Sequence, residues 1–87
     1  MPEKPPVPYK SLKQKQKARI ADWMYRETLR FYLANQRMPN AEETEHLCEI
    51  IYAKVRGGNY RVPYEEVRLL YQKRLIAYES RVQKDAA

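Results

Sequence analysis

Apolar and polar positions recur along the chain in three stretches with the period of an α-helix. The first runs from Ser11 to Arg37 without a Gly or Pro, and Ala, Leu, Lys, Arg, Gln and Met dominate it. These residues lose least on entering a helix. At about 100° per residue, Ile20, Ala21, Met24, Tyr25, Thr28, Leu29, Phe31 and Tyr32 share one broad side, wide enough to meet two other helices. Lys15, Arg19, Trp23, Arg26, Arg30 and Arg37 fall on the other side. Ser11 and Gln14 have the spacing of a capping box. Lys13, Lys15, Lys17 and Arg19 nevertheless crowd the first two turns, against the preference of a helix N-terminus for negative charge. Those turns are expected to fray without an anionic partner, and the helix to start between about 12 and 18.

Pro39 keeps Met38 out of the helical region and ends the first helix. Asn40 followed by Glu43 then predicts a capped second helix over about 41–55, with Glu42, Glu43 and Glu45 suited to its positive end. Thr44, Leu47, Cys48, Ile51 and Val55 form its apolar stripe, and Glu42, Glu45, His46 and Glu49 lie opposite. The short link predicts a sharp turn back onto the first helix. In RGGNYRV (56–62), Gly57 or Gly58 is expected to cap the second helix in the left-handed conformation. Pro63 opens a third helix over about 63–82, with Glu65 and Glu66 in its first turn. Tyr64, Val67, Tyr71, Leu75, Tyr78 and Val82 predict its buried face. Leu69 and Ile76 fall on a different side, one heptad apart, as a candidate protein interface. The predicted fold class is all-α: one small three-helix domain over 11–82. A disordered proline-rich arm over 1–10 precedes it, and a frayed tail over 83–87 follows.

Charge sharpens this picture. The 87 residues carry a net charge of +6. Residues 1–37 have nine Lys/Arg against three Asp/Glu, 38–55 have one against four, and 56–87 have seven against four. Two basic segments flank an acidic one, which favours anionic partners, whether nucleic acid or an acidic protein. Arg19, Trp23, Arg26 and Arg30, spaced four, three and four apart, form one stripe. Guanidinium groups pair with phosphates and an indole stacks on a base, so the stripe suits nucleic acid, with Lys15 beside it. Arg61, Arg68 and Arg74 are further candidate contacts. The plainer alternative is a solvated face on which arginine stems pack over Trp23.

Motifs for chemistry are sparse. His46 and Cys48 point in different directions on one helix, so they make no catalytic dyad. Glu43 and His46 supply one Glu-x-x-His step where a carboxylate-bridged metal pair needs two. No phosphate loop or dinucleotide fingerprint occurs. The expectation is therefore a non-enzyme with no cofactor, no metal and no small-molecule substrate. A single cysteine, no apolar run near the roughly 20 residues of a membrane span, and no secretory signal in MPEKPPVPYK point to the cytoplasm and away from membranes. The rival expectation is a protein-interaction adaptor or a homodimer that uses Leu69 and Ile76, together with tyrosines expected to be exposed.

QRMPNAEETEHLCEII resembles the lead-in to helix-turn-helix domains of bacterial regulators. The resemblance implies a divergent DNA-binding regulator. It covers about a sixth of the chain and rests largely on capping residues. The second helix is nearly twice the motif's usual length, and a seven-residue break stands where the motif has three or four. The third helix opens with acids, where a recognition helix meets DNA.

Overall fold

In the computed structural model, residues 7–58 and 60–86 are described. A single 3-10 turn, Tyr9–Ser11, precedes three α-helices: α1 Gln14–Asn35, α2 Ala41–Gly57 and α3 Tyr64–Ala86. The architecture is the expected all-α, three-helix domain. No helix among the described residues is long and apolar enough to cross a membrane.

One core lies between the helices. α1 supplies Ile20, Met24 and Tyr25, and α2 supplies Leu47, Cys48, Ile51 and Val55. The link supplies Val62, and α3 supplies Val67, Tyr71, Tyr78 and Val82. Burying each large aliphatic side chain contributes about 1.5–3 kcal/mol. On α2 the apolar stripe read from periodicity is the buried face, with Thr44 at its edge. On α1 the buried arc includes Glu27, while Ala21, Leu29, Phe31 and Tyr32 are only half-buried. On α3, Tyr64 and Leu75 are half-buried, and Leu69 and Ile76 point outward.

Buried polar groups tie α1 to α3. Thr28 Oγ1 donates to the Met24 carbonyl at 2.7 Å and lies 2.6 Å from the Tyr71 hydroxyl. A threonine has one O–H, so the Tyr71 hydroxyl must be the donor to Thr28. Tyr78 donates to the Ala21 carbonyl at 3.2 Å, and Tyr25 donates to the Asp85 carboxylate. The Arg81 guanidinium sits 3.9 Å above the Tyr25 ring. The abundance of tyrosine thus serves cross-helix contacts, where a ring fills the core and its hydroxyl finds a partner. Tyr25, Tyr71 and Tyr78 are buried and the other five are half-buried, so none is fully exposed.

The helix ends depart from expectation in four places. The N-cap of α1 is Lys13, two residues beyond Ser11, and Gln16 accepts from the Lys13 N–H at 3.0 Å. Ser11 ends the preceding 3-10 turn and Gln14 is the first helical residue, so the two form no capping box, and a lysine side chain has no acceptor to complete one with Gln16. At the other end of α1, Gln36 takes the left-handed conformation (φ 59°, ψ 28°) and its N–H donates to the Tyr32 carbonyl at 2.7 Å. Gly58, expected to be left-handed, has φ −85°. There the Gly58 N–H donates to the Lys54 carbonyl and the Tyr60 N–H to the Val55 carbonyl, which closes α2 without a positive φ. α3 continues to Ala86 through the segment expected to fray, because Val82 is buried and Asp85 is held by Tyr25.

Residues 1–6 of the expected arm lie outside the described residues. Its remainder is tethered. The Val7 N–H donates to the Arg61 carbonyl at 3.0 Å, the Tyr9 N–H to Glu66 at 3.1 Å, and the Tyr9 hydroxyl to the Lys17 carbonyl at 3.2 Å.

Candidate nucleic-acid interface

α1 presents its stripe as the periodicity requires. Lys15, Arg19, Arg26 and Arg30 are exposed, and Trp23 is half-buried. At 1.5 Å per residue, Arg19 and Arg30 stand roughly 16 Å apart along the helix. That length spans about five phosphates of one strand of a duplex at 3.4 Å each.

The charges on the stripe are not equivalent. Arg26 Nε lies 2.8 Å from the Asp22 carboxylate, one turn earlier. Arg30 Nη1 lies 3.5 Å from Glu27 Oε2, and Lys54 Nζ of α2 lies 3.9 Å from the same atom. Glu27 is 3% exposed, and its Oε2 has no hydrogen-bond donor among the described residues. It is a buried acid between two cations of different helices, directly beside Trp23 on the helical wheel. Periodicity gave no sign of it, because its burial requires α2 to lie alongside. Lys15 and Arg19 form no ion pair among the described residues. The uncompensated part of the stripe is therefore its amino-terminal half.

That half borders a hollow lined by Lys13, Lys15, Arg19 and Tyr60, together with Gln14 and Gln16. No acid occurs in the first turn of α1, so the helix macrodipole adds to the positive field there. Trp23 packs on Tyr60, with ring centroids 5.9 Å apart and planes tilted by 40°. A Cβ built on Gly58 would lie 3.5 Å from the indole. The indole is thus braced by the α2–α3 link and half-buried, one turn after Arg19. Arg61 is exposed in the same link.

Other candidate residues are placed elsewhere. Arg37 leaves the stripe, because α1 ends before it. Its guanidinium makes a two-pronged pair with Glu43 at 2.6 and 2.8 Å. That pair and the Asn40 N–H hold the Glu43 carboxyl down to about 2. Arg68 donates to Glu45 at 2.5 Å, and Tyr64 donates to the same carboxylate at 3.2 Å. Arg68 is therefore a link between α2 and α3 more than a free contact, and Glu45 is not the solvated acid its position suggested. Arg74 lies at the α1–α3 groove, away from the stripe. Leu69 is 57% and Ile76 81% exposed.

Among the described residues, no group of three His, Cys, Asp or Glu side chains is placed to hold a metal ion. Cys48 is fully buried, and burial pushes its thiol up to about 11. Searches among protein families, curated proteins and solved structures find no significant match to this chain.

Proposed function

We propose that this chain is a non-enzymatic module that binds nucleic acid through the outer face of α1. Lys15 and Arg19 would contact phosphates, with Arg26, Arg30 and Arg61 extending the basic surface. Trp23 would stack a base on the part of its ring that remains exposed. The observation that carries this reading is the placement of uncompensated Lys15 and Arg19, near the start of α1, around a hollow shared with Tyr60, which packs on Trp23. Phosphate affinity arises from such cations through counterion release, and aromatic faces add stacking. The cytoplasm is the compartment proposed, since Cys48 is a lone cysteine.

The test uses the single tryptophan. Emission from Trp23 is recorded while single- and double-stranded oligonucleotides are titrated at about 50 and 200 mM salt. Saturable quenching should weaken steeply with salt. The Lys15→Gln and Arg19→Gln variants should each flatten the salt slope by about one. Salt-independent affinity, or unchanged slopes in both variants, would defeat the proposal.

A second reading rests on Leu69 and Ile76, whose exposure shows that they are not core residues. It makes the chain a protein-interaction or self-association module. A mass independent of concentration, unchanged by Leu69→Glu and Ile76→Glu, would count against self-association.

A further inference from the structure

The groove between α1 and α3 holds two more arginines, on a face of α1 separate from the stripe. Ala18, Ala21, Asp22 and Tyr25 follow one another at spacings of three, one and three and form its α1 wall. Arg74, Tyr78 and Arg81, at spacings of four and three, form its α3 wall. The hollow encloses about 280 Å³, because Ala18 and Ala21 leave the centre of the α1 wall without bulk.

The two arginines differ from those paired across helices. Arg74 makes no ion pair among the described residues, and its Nε is buried without a hydrogen-bond acceptor. A buried donor left without an acceptor costs about 1–3 kcal/mol. Arg81 is laid against the Tyr25 ring, 3.9 Å from its centroid, and its Nε is 3.8 Å from Asp85, beyond hydrogen-bond reach. Held flat on the ring, the guanidinium shares its N–H edge with Asp85 and the Tyr25 hydroxyl, and the donors they leave can meet a two-oxygen acceptor. Asp22 also lines the hollow, but its carboxylate is engaged by Arg26 at 2.8 Å on the outer side.

We propose that this hollow is a phosphate-type oxyanion site, in which Arg74 and Arg81 grip the anion from α3 and Ala18 and Ala21 provide its room. Arg81 is preorganised by Tyr25, so binding it orders little new structure. The site is independent of the α1 stripe. Its phosphate can come from a free phosphate ester or from a nucleic-acid backbone, and the two sources are separable by experiment.

The experiment follows backbone amide and arginine Nε–H resonances of the full chain by NMR. Inorganic phosphate, phenyl phosphate and a short oligonucleotide are titrated, each against potassium chloride at matched ionic strength. Saturable shifts at Arg74 and Arg81 with inorganic phosphate or the monoester are expected. Arg81→Lys and Arg74→Gln should each weaken binding at least tenfold, while Arg19→Gln leaves it unchanged. Ala18→Leu, at an exposed helical position, fills the hollow without touching a charge and should abolish binding in a folded chain. Asp22→Asn should tighten it. Shifts reproduced by chloride, or binding that survives Ala18→Leu and Arg81→Lys, would overturn the assignment. Saturation by oligonucleotide with none by the two small phosphates would overturn the free-ester source and assign the site to a polymer backbone.

Discussion

Replacing Thr28 with Val removes one buried hydroxyl and keeps the shape of the side chain. In the native protein that hydroxyl gives its proton to the Met24 carbonyl and accepts the proton of Tyr71 at 2.6 Å. Both residues are fully buried, and burial pushes the Tyr71 phenol well up, so neither solvent nor ionisation relieves a lost partner. Thr28→Val leaves the Tyr71 O–H as a buried donor with no acceptor, which costs about 1–3 kcal/mol. Tyr71→Phe is milder at this contact, because Thr28 keeps Met24 as its acceptor; the loss is about 0.5–1.5 kcal/mol. In the double variant no stranded donor remains, so its cost should fall below the sum of the singles by about 1 kcal/mol or more. Urea denaturation followed by far-UV circular dichroism measures all four corners of this cycle. A loss of 1 kcal/mol corresponds to about 4–8 °C in Tm for a domain of this size. Additive single and double variants, or a Thr28→Val chain within about 0.5 kcal/mol of the parent, would refute the hydrogen-bond assignment.

Three further outcomes follow from the helix ends and the core. The Glu43 carboxyl is held at about 2, below its ordinary 4.5, by Arg37 and then by the Asn40 N–H. Its stabilisation is present above the unfolded value and lost as pH falls towards 2, so Tm should drop across that window and drop less in Arg37→Gln, read by a pH series of melts. Gln36→Gly should raise stability by about 0.5–1 kcal/mol, because a left-handed non-glycine residue is strained there; unchanged or lower stability in urea would remove that explanation. The Cys48 thiol, raised to about 11 by burial, should resist a thiol reagent at pH 8 until the chain unfolds, and rapid labelling of native protein would contradict its burial.

Much of the fold was legible because local chemistry and tertiary packing agree. Asn40 and Glu43 exchange both hydrogen bonds of a capping box, at 2.8 and 2.9 Å, and the α2 stripe they introduce is the buried stripe. Helical angle alone separated Leu69 and Ile76 from the buried side of α3, and both are exposed. Both features depend only on neighbours within one helix, where spacing in sequence is spacing in space.

Other features belong to no single helix. Nothing in the spacing of α1 marks Glu27 as buried, yet it is 3% exposed and Lys54 of α2 comes to within 3.9 Å of it. Trp23 lies at the border of the α1 stripe, and how much of it remains open was decided by Gly58 and Tyr60, which arrive from the α2–α3 link. Arg19 and Arg30 are alike in sequence, but only Arg30 faces a buried carboxylate. The Arg74–Arg81 groove exists only because α3 lies against the small residues of α1. Periodicity determined the three helices and their apolar faces. Which cations are neutralised, and which aromatic surface stays open, depended on partners distant in sequence, so only the packing of the helices decided it.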